Sequence, residues 1–386
     1  MHILDMSKSI SLKELFELSH YKIYVYAISK NEEKFADRWM DAVSEADGVF
    51  VTDTGSSDKT VEKLRSRGAV VYEEHIDPWR FDAARNAALA HVPEDGDICV
   101  SNDLDEVFEP GWREKLEAAW KPWYTRGRYL FTFSMNPDGT PKQQYPMEKI
   151  HIRQGYRWIH PVHEVLDYTG TGPQNTAWID GLVLNHFPDV SKPRSQYLPL
   201  LELSVKEDPW DDRSVFWLGR EYVYYGNYEK GIETLKKHLS MPKAVWEEER
   251  SASMRLIARC CEELGDLKEA KAWLFRALGE CQNVREPYVA LVKMGYKEEN
   301  WPLVYAMAKK GLEITKDTGS YLVEPECWGS TLYDYGSVGA FWLGLYDEAL
   351  HYARKVLEME PENQRLQKNR ELIERKLPRP GKEAVL

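Results

Sequence analysis

From residue 23 onward, short apolar runs alternate with helix-patterned segments, and the alternation stops near residue 190. Apolar runs at 23–28, 48–52 and 69–72 are separated by helical patterns at 32–46 and 58–67. Strands spaced this way form a parallel sheet with helical crossovers, because a tight turn cannot join parallel neighbours. Ligands bind open sheets of this kind beyond the carboxyl ends of the strands. The loops that follow the strands are therefore where the chemistry is expected.

Four such loops carry polar residues. The first strand ends in Asn31-Glu32, whose side chains contact a nucleotide or cap the next helix. The second ends in Asp53-Thr54-Gly55-Ser56-Ser57-Asp58-Lys59-Thr60, with two carboxylates, a glycine and small hydroxyls; Asp58 suits a helix N-cap or first turn. The third leads into a helical segment at 79–89 carrying Arg85 and Asn86. Arg85 is a solvated helix residue or a planar multi-donor fork for anionic groups. A fourth apolar run, 97–101, ends in Asn102-Asp103-Leu104-Asp105-Glu106. Residues i and i+2 of an extended segment point the same way, so Asp103 and Asp105 are expected to converge on one hard cation. Asp-x-Asp alone is also the pattern of a solvated acidic turn.

Beyond residue 190 the strand pattern gives way to helix pairs through to about residue 376, which predicts two domains, 1–190 and 191–386. The segment from Trp217 to Ile232 is echoed from Leu256 to Ala270, more faintly from Glu299 to Val304, and again from Phe341 to Leu350. Spacings are irregular, but helix, Gly turn, aromatic and small residue recur in a pattern that resembles tetratricopeptide repeats. Each pair in such an array buries its apolar face only against the next, which leaves a surface for partners or for homodimerisation. A plain helical bundle is the competing architecture. The aromatics Trp217, Tyr225, Trp273 and Trp342 are expected in the core.

The net charge of −12 argues against wrapping a nucleic-acid backbone. Five cysteines, an odd number with no CxxC pair, indicate neither a disulfide framework nor a zinc site, and a reducing cytoplasm is the simplest setting. The amino-terminal stretch lacks an export signal, and no run of about 18 apolar residues suggests a membrane span.

Taken in order, Asn31-Glu32, Asp53-x-Gly-Ser-x-Asp58-x-Thr60, Ala83-Ala-Arg-Asn86 and Asp103-x-Asp-Glu106 resemble the family 2 glycosyltransferases of GT-A fold. Tyr156-Arg-Trp-Ile-His-Pro-Val-His-Glu164 and Val183-Leu-Asn-His186 are similar to the branch that includes the sublancin-type peptide S-glycosyltransferases, whose members also carry a tetratricopeptide-like carboxyl half. The resemblance implies an α/β GT-A domain followed by an all-α repeat domain, and an inverting enzyme that moves a hexose from a UDP-sugar. It implies Asp53 at the nucleobase, Asn31 and Glu32 beside it, and Arg85 at the uridine or diphosphate. Mn²⁺ or Mg²⁺ is expected on Asp105, with Asp103 on its water shell or on the ribose, and His186 completing the shell.

Glu164 is the expected base, with His163 orienting it or exchanging roles with it. The acceptor does not follow from the resemblance: a peptide or protein side chain is favoured, with glycan, lipopolysaccharide and modified DNA as alternatives. A non-catalytic scaffold that binds nucleotide-sugar is the alternative from another functional class. Leu104, where Ala is commoner in relatives, is expected to narrow the donor pocket.

Overall fold

β1 (Ile23–Ser29) is buried along nearly its whole length, and its alternation serves two cores rather than one. Ile23, Val25 and Ala27 pack with Phe35 and Trp39 of α1 (Glu33–Ala42) on one face. Tyr24 and Tyr26 pack with Ala88 and Leu89 of α3 (Phe81–His91) and with Trp158 on the other. This two-faced burial is what a near-continuous apolar strand requires, and it places helices on both sides of the sheet.

In this computed structural model residues 20–189 and 195–377 are described, so the amino-terminal stretch read above lies largely outside them. The chain divides into two compact units that part near residue 192, with Met135–Gln144 grouped with the second. The first unit is built on a mixed sheet of eight strands in the order β3-β2-β1-β4-β7-β6-β10-β5. Here β2 is Gly48–Asp53, β3 Val70–Glu73, β4 Ile98–Ser101, β5 Glu106–Phe108, β6 Arg126–Met135, β7 Pro141–Ile152 and β10 Thr176–His186. β1 pairs in parallel with β2 and β4, and β2 with β3, as the alternation predicts. α2 (Thr60–Ser66) makes the second crossover. A small antiparallel pair, β8 (Tyr156–Ile159) and β9 (Val165–Tyr168), lies apart from the large sheet.

The parallel register aligns the carboxyl ends of β1, β2 and β4, so the loops after Ser29, Asp53 and Ser101 emerge on one edge. Two antiparallel pairings bring distant residues there. β4 pairs with β7 through Val100 and Ile150, which sets Lys149 just beyond the strand end. β5 pairs with β10 through Glu106 and His186, which delivers His186 to the acidic run 80 residues before it. Leu104 is buried in the main core rather than facing a pocket, which corrects the expectation that it narrows the donor site. α4 (Trp112–Ala119) packs against β10 through this core.

The second unit consists mainly of helices α5 to α14: Tyr197–Glu207, Asp212–Tyr224, Tyr228–Ser240, Glu247–Glu263, Leu267–Glu280, Glu286–Lys297, Trp301–Leu312, Thr331–Trp342, Tyr346–Met359 and Gln364–Glu374. Four pairs share one turn. The amides of Asn227, Asp266, Asn300 and Leu345 donate to Tyr222, Cys261, Gly295 and Ala340 at 2.8–2.9 Å. Each turn needs one residue with positive φ just before that amide. Gly226, Gly265 and Gly344 supply it in three turns, and Glu299 (φ 53°) supplies it in the third pair, where the repeat pattern was faintest.

The same pairs pack backbone to side chain at small residues. A Cβ on Gly219 would lie 2.7 Å from Leu235, so the first pair closes only because that position is glycine. Among the four aromatics expected in the core, Trp217 and Trp273 are half-buried, whereas Tyr225 and Trp342 are 47% and 60% exposed. Trp342 instead stacks on Trp301, rings 5.5 Å apart, at the surface. An aromatic beside the helix-ending Gly turn is left exposed, which the repeat pattern does not reveal.

A left-handed conformation costs an L-residue about 1 kcal/mol that glycine does not pay. Glu299→Gly is therefore expected to raise stability by roughly 0.5–1 kcal/mol, read as a higher urea midpoint at unchanged slope.

Candidate active site

The loops after β1 and β2 are stitched to each other by their own polar residues. Asp53, 1% exposed, accepts from the amides of Gly55 (3.0 Å) and Ser56 (2.8 Å) with one oxygen and from the hydroxyls of Ser29 (2.8 Å) and Ser56 with the other. Its acceptor positions are thus engaged by the loop it shapes, and a nucleobase N–H would have to displace one of these donors. Asn31, held at φ 55°, accepts the Ser57 amide at 2.8 Å through its side chain, while its own amide donates to Ser56 Oγ at 2.8 Å. The Glu32 amide donates to Thr60 Oγ1 at 2.7 Å.

Asp58 completes the stitching from just before α2. It accepts the Thr60 amide (2.9 Å) and hydroxyl on one oxygen and the Glu33 amide (3.1 Å) on the other. Burial works against its charge, yet these hydrogen bonds prevail and hold its carboxyl below the usual value.

Arg85, 5% exposed on α3, is the centre of the second half of the site. Its guanidinium makes two parallel bonds to Asp103, Nη1 to Oδ1 at 2.7 Å and Nη2 to Oδ2 at 2.9 Å. Its Nε donates to Glu164 Oε1, and its plane lies over the Trp158 ring with its carbon 5.0 Å from the centroid. Burial opposes the charge, but the two carboxylates outweigh it and push the guanidinium's pKa further up.

Lys149 closes the network by donating to Asp103 Oδ2 (3.1 Å) and Glu106 Oε1 (2.9 Å). Burial would raise the pKa of Asp103, but Arg85 and Lys149 overcome it and drive the carboxyl far below its usual range. Glu106 goes the other way: burial raises it, and Lys149 only partly offsets the rise.

Asp103 and Asp105 do not converge. Residues 104–105 form a turn rather than an extended segment, so Asp103 faces Arg85 and Lys149 while Asp105 faces His186. His186 Nε2 lies 3.4 Å from Asp105 Oδ2, and its Nδ1 lies 3.2 Å from the Phe133 carbonyl. Burial lowers the imidazole's proton affinity, but the neighbouring Asp105 carboxylate outweighs it and raises the pKa.

His163 and Glu164 sit in the segment between β8 and β9, where His160 (φ 76°) and His163 (φ 52°) both adopt left-handed backbone. Among the described residues four non-glycine positions have positive φ, and Asn31, His160 and His163 are three of them. Such strain persists where surrounding contacts over-determine it, as at ligand sites. One of those contacts is the Phe81 amide at the start of α3, which donates to the Pro161 carbonyl at 2.9 Å.

Several contacts of the candidate site gave no local signal. Lys149 lies within a long strand, and only its register beside β4 marks it. Asn86 pairs its amide with the Trp158 backbone, N–H and carbonyl both at 2.8 Å, and so fastens β8 to α3. Beneath them Trp158 Nε1 donates to the Tyr26 hydroxyl (2.9 Å), which meets His151 Nε2 at 2.8 Å. Burial depresses the His151 imidazole to about 4, so it stays neutral.

Residues 24–169, which hold this whole arrangement except His186, match the family model described as Glycosyl transferase family 2. Residues 331–381 match the Fis1 C-terminal tetratricopeptide repeat. No curated protein matches the chain. Among solved structures it is similar to the MamA protein (18% identity over 44% of this chain and 83% of that one, TM-score 0.34). It is also similar to pilF of Pseudomonas aeruginosa (14%, 44% and 70%, TM-score 0.36) and to YrrB, titled a TPR protein with an unusual peptide-binding site (14%, 46% and 83%, TM-score 0.34).

Arg85→Met leaves Asp103 and Glu164 short of their shared cation and is expected to cost about 3–5 kcal/mol; Arg85→Lys keeps the charge without the fork and recovers only part. Urea midpoints of the two variants measure this. Asp58 has a lowered pKa in the fold, so its contribution is present above the unfolded value near 3.9 and lost as pH falls through the folded one. Asp58→Asn should therefore cost about 1 kcal/mol at neutral pH and progressively less in acid, followed by unfolding across a pH series.

Proposed function

We propose that this protein transfers a sugar from a UDP-sugar to an acceptor nucleophile, inverting the anomeric carbon, with Mn²⁺ or Mg²⁺ held at Asp105 and His186. Its family 2 glycosyltransferase domain supports the transferase class. The observation that carries the rest is the gathering of the strand-end loops around Arg85, Asp103 and Glu164, with the Asp105–His186 pair alongside.

The donor set fits a divalent ion. One carboxylate and one imidazole 3.4 Å apart lie close enough to share one ion, and the imidazole favours manganese over magnesium. When bound there, such an ion supplies charge neutralisation for the departing diphosphate. Asp103 serves this pair indirectly: with its charge taken up by Arg85 and Lys149, it fixes the start of the turn that presents Asp105. Arg85 holds the strand end and the 160–164 segment in one frame.

Glu164 receives the acceptor's proton on the oxygen that Arg85 does not engage, and the strained backbone of His163 sets its direction. The nucleotide rests on the stitched loops, with Asp53 shaping the cradle and Asn31 and Glu32 at its rim.

Acceptor selection falls to the helical unit, and a peptide or protein side chain is the acceptor its surface suits. That unit holds a cavity of about 750 Å³ whose lining includes Arg220, Tyr224, Arg259, Lys293 and Tyr296. Glu262, Glu286, Glu324 and Glu326 line it too, so the cavity offers charges of both signs and aromatic rings to an extended chain. No helix among the described residues is long and apolar enough to cross a membrane. All five cysteines are buried and unpaired.

Incubation with a panel of UDP-sugars, Mn²⁺ and candidate peptides, followed by intact-mass analysis, is expected to show a single hexose addition. Asp105→Ala should lower the rate on the order of 100-fold or more while leaving the melting midpoint nearly unchanged. Nucleotide binding with neither transfer nor donor hydrolysis would instead make the protein a nucleotide-sugar-binding scaffold.

A further inference from the structure

Three helices of the second unit bring a histidine and two carboxylates together away from the strand-end site. Asp212 opens α6, His238 lies in the last turn of α7, and Glu249 lies in the first turn of α8. One donor atom from each falls within 4.8 Å of the others. His238 is fully buried, Glu249 is 7% exposed, and Asp212 is half-buried.

The imidazole's orientation is set from behind. His238 Nδ1 lies 2.9 Å from Ser253 Oγ, itself fully buried, which suits an Nδ1–H donor and leaves the Nε2 lone pair pointing forward. Nε2 makes no hydrogen bond, yet it is buried and lies 3.3 Å from Glu249 Oε1. Two electron-rich atoms this close in a dry interior, with no hydrogen bond between them, repel unless a cation lies beside both. A proton is one such cation, but charge-assisted N–H···O bonds close to about 2.7–2.9 Å.

The observed separation is instead that of two ligands on a tetrahedral ion, which are about 3.3–3.4 Å apart when each bond is about 2.0–2.1 Å. The second oxygen of Glu249 accepts from the Tyr321 hydroxyl at 2.8 Å, so the carboxylate is oriented by an outer partner just as the imidazole is.

We propose that Asp212, His238 and Glu249 form a site for a divalent transition metal, Zn²⁺ by preference, that staples α6, α7 and α8 together. One imidazole and two carboxylates are a zinc-type donor set, and zinc stands near the top of the divalent affinity order for such ligands. Asp212 closes the third position by a side-chain rotation that its partial exposure permits, and water takes the fourth. The ion cross-links the first helix pair to the second. Through Glu249 and Tyr321 it also anchors the segment that precedes α12, where Tyr321 stacks on Trp217 with rings 5.7 Å apart.

The test uses the full chain carrying Asp105→Ala, so that the strand-end pair does not contribute. Chelator-stripped protein is titrated with Co²⁺ and then with Zn²⁺. Expected are one equivalent of Co²⁺ with the visible bands of a tetrahedral site, their loss on adding Zn²⁺, and a melting midpoint raised by roughly 5 °C in excess Zn²⁺.

Adding His238→Gln should abolish the bands. Because that side chain is buried, Asp212→Asn serves as the milder partner, expected to weaken Co²⁺ binding by about tenfold or more with circular dichroism unchanged. The proposal is overturned if the stripped Asp105→Ala protein takes up no Co²⁺, or if uptake is the same in the Asp212→Asn protein.

Discussion

Arg85 is the residue on which the first unit's polar edge depends. A buried guanidinium is tolerable only when its donors are matched, and here one planar fork serves Asp103 at the end of β4 and Glu164 between β8 and β9. Those two segments lie about sixty residues apart in the chain, and no backbone ladder joins them directly. The ion pairs do so, with Trp158 under the guanidinium and Asn86 fastening the same strand. Lys149 then extends the alternation of charge from Asp103 to Glu106. A fixed lattice of opposite charges in a half-buried edge keeps its geometry before any ligand arrives, which is the condition for electrostatic selectivity.

The two units solve the burial problem differently. The sheet buries both faces of β1 and exposes only its carboxyl edge, so polar residues there are crowded into loops that satisfy one another, as Asp53, Asn31 and Asp58 do. The helical unit repeats a small device: a tight turn with one positive φ, a small residue at the crossing, and the next pair stacked on it. Repetition tolerates local departures such as Glu299, because each turn costs only about 1 kcal/mol to spoil. A single-copy charge network has no such tolerance, and loss of one member leaves the others buried and unpaired.

Much of the candidate site is built from residues at strand ends and in caps, where local pattern and position coincide. Asn31, Asp53, Asp58, Arg85 and Asp103 all fall in contiguous motifs, and each makes contacts in the structure. Their partners were harder. Lys149 lies mid-strand with no motif of its own, and Asn86, read as part of a ligand motif, pairs with backbone instead. Asp103 and Asp105 were expected to point together because an extended segment was assumed; the turn at 104–105 separates them.

The sequence by itself determined the alternation of strands and helices as far as the strand that ends at Ser101, the shift to helical periodicity beyond about residue 190, and which of the early loops would be polar. Those follow from periodicity, which depends on neighbours in the chain. Which charges meet was decided by the tertiary structure alone. Pairing of β5 with β10 sets His186 beside Asp105, pairing of β4 with β7 sets Lys149 beside Asp103, and the fold over α3 brings Glu164 to Arg85. In the helical unit, three helix ends set Asp212, His238 and Glu249 within reach of one another. Register and helix packing are settled by the burial of apolar side chains elsewhere, so local sequence carries no record of the polar contacts they impose.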